Sequence, residues 1–342
     1  MQSIPFNPNF FLQVNMSHFA KDCPPRYLFR VHAPLSAGQS SAYAVRSPAA
    51  LYDLDEQLND LFAMAPFEAA DSLLYHLEWK CDAGCNLMSW TTSLLVALQY
   101  GLHRHRTDKD NPEFEDIFLL MIDTRDFPER TFIKDLEAVN ALNTLEMQRM
   151  RHWDDYLDLR DTGYFGEYLS QGALRIHGRC VEVSFQTLIN LGLFELFPPL
   201  AVEAEWEKWA RRVTDLRQPF YKGETSSSTA NEVRTAVRIA RDSFGGRWTF
   251  PVAAMLLAFR PRAVNDLVIL EGFKAEFSKD EIQELSLHDI QIDCHVLPDD
   301  RAGLPELVQF KKLVNDVHRH FIGMDINSEF WTVRWQNADS FH

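Results

Sequence analysis

The sequence lacks the features that mark membrane and secreted proteins. No apolar run reaches the roughly 18 residues that a membrane-spanning helix needs, so we expect no membrane partner. The first 22 residues do not combine a basic start, an apolar core and a small-residue cleavage site, which disfavours a secretory signal. Cysteine is scarce, with five residues scattered over 342 positions. This odd number argues against a disulfide framework and predicts a reducing compartment, the cytoplasm or the nucleus.

Basic side chains are too few for a typical nucleic-acid-binding protein. The chain carries 34 lysine and arginine residues against 49 acidic ones, a net charge of −15. Binding to a phosphate backbone relies on the opposite sign, so a nucleic-acid partner is disfavoured. The basic cluster His103–Arg106 is interpreted as the end of a helix, where cations interact favourably with the helix dipole.

The residues that could bind a metal ion do not form a complete set of ligands in the sequence. Cys81 and Cys85 have the spacing of half a zinc site, but the other three cysteines supply no matching pair. We therefore interpret them as two neighbouring loop thiols and predict no metal. A metal hydrolase that combines these thiols with His103 and His105 is the least favoured hypothesis, because all four side chains would have to meet around one ion.

Differences in hydrophobic periodicity and composition divide the chain into three parts. Residues 1–22 show no hydrophobic periodicity and are predicted to form an irregular N-terminal segment. Residues 23–199 mix strand and helix patterns, which predicts an α+β domain. Residues 200–342 are predicted to be mainly helical, with a polar linker near 222–230. We expect this region to serve in packing or in binding a protein partner. Within the α+β domain, helices are predicted at 51–63, 67–79 and 132–150, and strands at 26–32, 117–123 and 180–185.

The predicted strand RYLFRVH, residues 26–32, contains a charge in its middle. Arg30 interrupts an otherwise apolar run. A buried charge costs several kcal/mol unless it is paired or meets a ligand. An ion-paired or exposed strand arginine and a ligand-binding arginine are equally compatible with this pattern.

The segment NLMSWTTSLLVALQY, residues 86–100, begins as a strand and continues as a helix. Hydroxyls at such a junction cap the first N–H groups of the helix, and they can also hold a carboxylate or a ligand by hydrogen bonds. The polar side chains concerned are Ser89, Thr91, Thr92 and Ser93.

The segment from Tyr164 to Val183 carries a lone acid among aromatics. Glu167 is flanked by Phe165 and Tyr168, and Gly172 follows five residues later. Taken alone, this pattern favours a turn-capping glutamate beside core aromatics. A carboxylate held between aromatics at the start of a strand can also stabilise a positively charged transition state.

In order and spacing, these three segments resemble the Arg–Ser-Thr-Ser–Glu class of ADP-ribosyltransferases, most closely the heat-labile-enterotoxin-like branch. The whole chain also resembles a family of fungal cytosolic proteins of no established function that carry such a domain. The resemblance implies a split mixed β-sheet with flanking helices over about residues 23–199. It also implies NAD as the substrate, with a protein or water as the acceptor.

The resemblance assigns roles to individual residues. Arg30 is expected to bind the phosphate or ribose of NAD, and Glu167 to stabilise the oxocarbenium-like centre as nicotinamide leaves. The Ser/Thr strand would support the site, with either Ser89 or Thr91 leading the motif. Tyr168, or an aromatic such as Tyr43 or Trp90, is expected to stack on nicotinamide.

One position departs from the family pattern. Transferases that modify arginine or asparagine commonly carry Glu or Gln two residues before the catalytic Glu, and this chain has Phe165 there. NAD hydrolysis, an unusual acceptor and an inactive site remain as alternatives. The leading hypothesis is therefore an NAD-cleaving enzyme. The alternative is an inactive protein of the same fold that acts as an interaction module.

Overall fold

The computed structural model describes residues 4–8, 24–143, 164–290 and 303–322. Within these ranges the strands form two antiparallel sheets. The larger has the order β6-β7-β4-β1-β5-β9, with bounds Ile133–Lys134 (β6), Glu167–Gln171 (β7), Leu87–Thr91 (β4), Tyr27–His32 (β1), Phe118–Asp123 (β5) and Cys180–Ser184 (β9). The smaller has the order Gln39–Ser40 (β2), Ala44–Arg46 (β3) and Ala173–Arg175 (β8). This arrangement confirms the predicted α+β class.

Helices connect and cover the sheets. In the first part of the described chain they are Pro48–Leu51 (α1), Pro66–Leu77 (α2), Leu94–Thr107 (α3), Asp135–Leu142 (α4), Phe185–Asn190 (α5) and Leu193–Leu196 (α6). The later ones are Trp209–Tyr221 (α7), Ala230–Ile239 (α8), Thr249–Leu257 (α9), Leu267–Glu276 (α10), Lys279–Gln283 (α11) and Pro305–Ile322 (α12). No helix of the described ranges combines the length and apolar composition needed to cross a membrane.

Strand β1 lies in the centre of the larger sheet, and its alternating side chains face two cores. Phe29 and Val31 join the largest apolar cluster, which contains α3, whereas Leu28 faces the smaller sheet with Val45 and Leu174. Period-2 alternation places successive side chains on opposite faces, so both faces of β1 are buried. Burial on both faces explains why the residues of this strand are apolar, but it does not explain Arg30.

The larger sheet opens between β1 and β4. Strand β1 pairs with β5 along all of Tyr27–His32. Its pairing with β4 is limited to Phe29 opposite Thr91, although both strands are fully described. The two strands therefore diverge from this point, and the gap opens beside Arg30.

The core continues across the position where we expected a domain boundary. The largest cluster contains Phe29 of β1 and Leu95 of α3 together with Val252 of α9 and Val314 of α12. The boundary near residue 199 stays a prediction, but the helices after it share a core with the sheet. The described residues after position 200 are mainly helical, as predicted.

Two helix predictions were wrong in extent. The stretch 51–63 forms only the end of α1 and two 3-10 turns. Asp53 adopts a positive φ of 55°, which a helix does not accommodate, and Leu58 is 72% exposed although Leu61 and Phe62 are buried. The stretch 132–150 begins as strand β6 and becomes helical only at Asp135. Its last part, 144–150, lies outside the described residues.

A buried ion pair connects the start of β1 with the end of β5. Arg26 Nε donates to Asp123 Oδ2 at 3.0 Å, and their side chains are 1% and 0% exposed. Burial by itself raises the pKa of Asp123, but hydrogen bonds from Arg125 and Arg26 outweigh it and hold this pKa below the ordinary 3.8. The ionised carboxylate therefore stabilises the fold above about pH 4, and this contribution is lost as the pH falls through the folded-state pKa.

We expect Asp123→Asn to lower the free energy of unfolding by about 1.5–3 kcal/mol near neutral pH, because buried Arg26 loses its charge-assisted hydrogen bond to this carboxylate and keeps only Asp289 and Glu284 as charge partners. Since the wild-type carboxyl is protonated at low pH, the difference should shrink once the pH has fallen through the folded-state pKa of Asp123, which lies below the ordinary 3.8. Urea denaturation at both pH values measures it. Asp126→Asn is the control, because its pair with Arg247 is about one-third exposed and should contribute no more than about 1 kcal/mol. An equal loss at both pH values would contradict the account.

Candidate functional site

Arg30 projects from β1 into the gap where the sheet opens. Its Nε donates to Ser40 Oγ at 3.0 Å, and its Nη1 donates to the backbone carbonyl of Ser89 at 2.7 Å. No carboxylate of the described residues lies within 4.0 Å of its guanidinium. Burial lowers the pKa of Arg30 to about 10, so the side chain stays protonated at neutral pH. The strand arginine is therefore a buried cation that has no carboxylate partner in the described structure.

Glu167 is the first residue of β7 and lies directly opposite Thr91 of β4. Directly opposed residues of antiparallel strands share one face of the sheet, and Ser89, two positions from Thr91, shares it as well. Thr91 Oγ1 donates to the carbonyl of Phe165 at 2.7 Å, and so fixes the chain just before the acid. The Ser/Thr strand thus positions Glu167 through the backbone that leads to it.

Gly166 is required at the entrance to β7. Its φ is +66°, and a Cβ there would lie 2.6 Å from Thr92 Oγ1. The Thr92 N–H donates to the Gly166 carbonyl at 2.9 Å, which closes the turn. Only glycine combines this conformation with so close an approach.

Arg30, Ser89, Thr91 and Glu167 line one cavity of about 230 Å³. Three of these four lie on β4 and β7, and Arg30 reaches the cavity through the gap beside β1. The structure therefore brings together the arginine, the strand hydroxyls and the acid that the sequence singled out.

An aromatic wall closes the side of the cavity formed by α3 and α7. Trp209 lies 4.6 Å from Trp79 and 5.3 Å from both Tyr100 and Phe165, measured between ring centroids. Trp79 is 52% exposed and adopts a positive φ of 60°, which is rare for a bulky residue. Trp209 Nε1 is buried, and no hydrogen bond within the described ranges involves it. The wall thus offers stacking faces and one N–H donor.

The basic cluster His103–Arg106 lies in the last turns of α3, as predicted, but Arg104 points inward. It is 7% exposed, lines the cavity and pairs with Asp108. Its positive charge contributes to the lowered pKa of Arg30, after burial. Two arginines, of which Arg104 is paired with Asp108, therefore line the same cavity as Glu167.

Three residues expected at the site are placed elsewhere. Ser93 is fully buried, caps α3 and donates to Glu306 Oε1 at 2.6 Å. Thr92 lines a separate small cavity of about 30 Å³. Tyr168 pairs with Trp90, one position beyond Glu167, so it packs against the cluster on the opposite face of the sheet. Strand alternation is the physical reason for Tyr168, because the neighbour of Glu167 on β7 faces the other way, whereas Thr92 and Ser93 lie beyond the end of β4.

Of the other two stacking candidates, Tyr43 does not line the cavity, and Trp90 lines it but packs its ring against other core residues. The Tyr43 ring is 68% exposed and stacks on His177 at 5.1 Å. The Trp90 ring packs edge-on against Phe132 at 5.8 Å, in the cluster between the two sheets. The aromatic wall takes the place that was expected for these residues.

Sequence reasoning missed the residues of the wall and one histidine. On α3, Ala97, Tyr100 and Arg104 are spaced as one helical face, a signal that was available. Trp209 comes from the helical region after residue 200, and no local pattern connects it with Glu167. His76, on the last turn of α2, could have been noticed five positions before Cys81.

His76, Cys81 and Cys85 form a compact cluster at the edge of the cavity. Their ligating atoms all lie within 4.8 Å of one another. The hydrogen bond with Cys81 lowers the pKa of Cys85 to about 4, although burial acts against this, and a contact with His76 adds to the lowering. The same hydrogen bond and burial raise the pKa of Cys81. The two thiols are more than loop neighbours, because a buried histidine joins them.

Comparison with known proteins gives one family match. A family model described as a domain of unknown function, DUF7587, matches residues 23–172. This range includes Arg30, Ser89, Thr91 and Glu167, as well as the cluster of His76 with the two cysteines, but not Trp209. Searches of curated proteins and of solved structures gave no match.

Proposed function

We propose that the protein binds NAD in this cavity and cleaves the bond between nicotinamide and ribose, as an NAD glycohydrolase or ADP-ribosyltransferase. The observation that carries the proposal is the convergence of Arg30, Ser89, Thr91 and Glu167 on one cavity. The split of the larger sheet beside Arg30 supports the further proposal of an ADP-ribosyltransferase-like fold.

Arg30 is proposed to bind a phosphate or the ribose of NAD. It is a protonated side chain without a carboxylate partner in the described structure, and a desolvated guanidinium of this kind gains most from an anionic ligand. Arg104 also lines the cavity and has Asp108 as its ion-pair partner. Arg30 therefore favours a ligand that carries phosphate.

Glu167 is proposed to act on the nicotinamide ribose. Loss of nicotinamide leaves positive charge on the ribose ring, and a carboxylate held close to that ring stabilises the transition state more than the ground state. Its place on a strand, fixed through Thr91 and Gly166, keeps the carboxylate in a defined position. No group of the chain needs to form a covalent intermediate.

The aromatic wall is proposed to hold the nicotinamide ring. Trp79, Tyr100 and Trp209 offer ring faces at the cavity. A volume of about 230 Å³ is below the roughly 300–1,000 Å³ of whole-ligand pockets. It is therefore suited to the nicotinamide ribose end of NAD, with the adenosine part outside.

Water is the acceptor that the geometry favours. The position two residues before Glu167 is Phe165, which is 4% exposed and stacks on Trp209. Such a side chain cannot hydrogen-bond an arginine or asparagine acceptor. Hydrolysis, or transfer to an acceptor of another kind, fits this wall better than transfer to those two side chains.

Calorimetric titration with NAD tests the binding role. We expect Arg30→Lys to weaken NAD binding by roughly 10–100-fold, because a bidentate charge-assisted contact of about 1.5–3 kcal/mol is lost. Arg175→Lys is the matched control, an exposed strand arginine of the smaller sheet, and should leave affinity unchanged. Equal affinity in wild type and Arg30→Lys would contradict the assignment.

The alternative is an inactive site in a protein that serves as an interaction module. One observation favours it, since Val264, Leu267 and Val268 expose apolar side chains at the start of α10. Such a surface in the helical region suits a protein partner. Failure of wild-type protein to bind NAD would favour this alternative.

A further inference from the structure

The cluster beside the cavity consists of three soft donor atoms that face one another. His76 Nδ1 lies 3.2 Å from Cys81 Sγ and 3.3 Å from Cys85 Sγ, and the two sulfurs are 3.4 Å apart. The chain turns after Cys81, and the Cys85 N–H donates to the Asp82 carbonyl at 3.2 Å. The loop between α2 and β4 thus places both thiols next to the imidazole of His76.

These separations are close to those of a zinc site. Zinc binds sulfur at about 2.3 Å and imidazole nitrogen at about 2.0–2.1 Å. Tetrahedral angles at these bond lengths separate ligand atoms by about 3.5–3.8 Å. Outward shifts of a few tenths of an ångström would therefore admit the ion at the centre of the three atoms.

Ser89 orients the histidine as a metal ligand requires. His76 Nε2 lies 2.8 Å from Ser89 Oγ. When Nε2–H donates to this hydroxyl, Nδ1 carries the lone pair that faces the two sulfurs. Ligating histidines almost always use their second nitrogen in a hydrogen bond of this kind. His76 is 6% exposed and Cys85 is 8% exposed, so two of the three ligands are buried, and Cys81 is partly exposed.

We propose that His76, Cys81 and Cys85 bind one zinc ion whose fourth ligand comes from the cavity. Among the described residues, no fourth histidine, cysteine or acid belongs to the cluster. His76 and Cys81 line the cavity, so a water or a bound molecule can reach the ion. Two thiolates and a neutral imidazole cancel the charge of the ion, and the nearby Arg30 meets no added repulsion. This inference does not rest on the proposed function.

Metal analysis of the full-length protein, purified with reductant, tests the proposal. We expect one zinc ion per chain by elemental mass spectrometry. Cobalt substitution should produce the visible absorption of tetrahedral cobalt and a sulfur-to-cobalt charge-transfer band. Cys81→Ser and Cys85→Ser should each weaken metal binding by more than the roughly 10–100-fold typical of a change outside the ligands.

Two variants separate this proposal from an unspecific effect. Cys180→Ser removes a free thiol outside the cluster and should leave metal content and the cobalt spectrum unchanged. Ser89→Ala keeps all three ligands and should weaken binding by about 10–100-fold while the saturated cobalt spectrum stays tetrahedral. Circular dichroism of each variant establishes that it is folded.

Three results would overturn the zinc site. The first is wild-type protein that retains no zinc and shows no tetrahedral cobalt absorption. The second is a loss of metal in Cys180→Ser equal to that in Cys85→Ser. The third is an intact mass lower by two hydrogens after purification with reductant, which would indicate a Cys81–Cys85 disulfide with its bond of about 2.05 Å. None of these results depends on NAD, so the two proposals can fail separately.

Discussion

Replacing Glu167 with glutamine is expected to lower the rate of nicotinamide release from NAD by roughly 10²–10³-fold. Glutamine keeps the size and the hydrogen-bonding oxygen of the side chain but removes the negative charge that is proposed to face the developing cation. The loss should appear in kcat, with little change in NAD affinity, because the charge interaction is made in the transition state. Steady-state assays of nicotinamide release, together with calorimetric titration, separate the two effects.

Glu182→Gln is the matched control for this variant. Glu182 is also a half-buried strand glutamate of the larger sheet, but it lies on β9 and bonds to His32 at 2.9 Å, outside the cavity. Its replacement should leave nicotinamide release unchanged. If Glu167→Gln keeps wild-type kcat, or if both variants lose activity to the same degree, Glu167 is not the group that stabilises the transition state.

The largest loss of stability is expected at the ion pair between α7 and α12. Arg217 bonds to both oxygens of Glu306, at 3.0 and 2.6 Å, and the side chains are 2% and 4% exposed. Arg217→Met leaves this carboxylate buried without its cation, and should lower the free energy of unfolding by about 3–5 kcal/mol. Chemical denaturation of wild type and variant measures the difference.

A double variant shows whether the loss comes from the unpaired charge. Arg217→Met combined with Glu306→Leu removes both charges and should recover much of the stability, since apolar replacement of a complete buried pair is often nearly neutral. The surface pair Arg241–Glu276 is the control, and its disruption should cost no more than about 1 kcal/mol. A double variant less stable than Arg217→Met would contradict this explanation.

Much of the sheet could be predicted because its strands carry strong local patterns. Alternation over Tyr27–His32, the continuous apolar run of β5 and the hydroxyl-rich junction of β4 with α3 all appear in the structure within about one residue of the prediction. The candidate residues Arg30 and Glu167 stood out because each is a charge in an apolar setting.

The remaining features depend on contacts that no local pattern records. Ser93 belongs to the Ser/Thr motif in sequence, yet its hydroxyl bonds to Glu306 in a helix that begins 212 positions later, at Pro305. The expectation for Tyr168 overlooked the alternation of β7, which turns it away from Glu167. Trp209 reaches the cavity only because the helices after residue 200 share the core of the sheet.

The most direct test of the central proposal is the time course of nicotinamide and ADP-ribose formation when purified wild-type protein is incubated with NAD. We predict that both products accumulate together, beyond one turnover per chain, because water is the favoured acceptor. No nicotinamide release, with no heat of NAD binding by calorimetry, would contradict the proposal and leave the cavity as part of an interaction module.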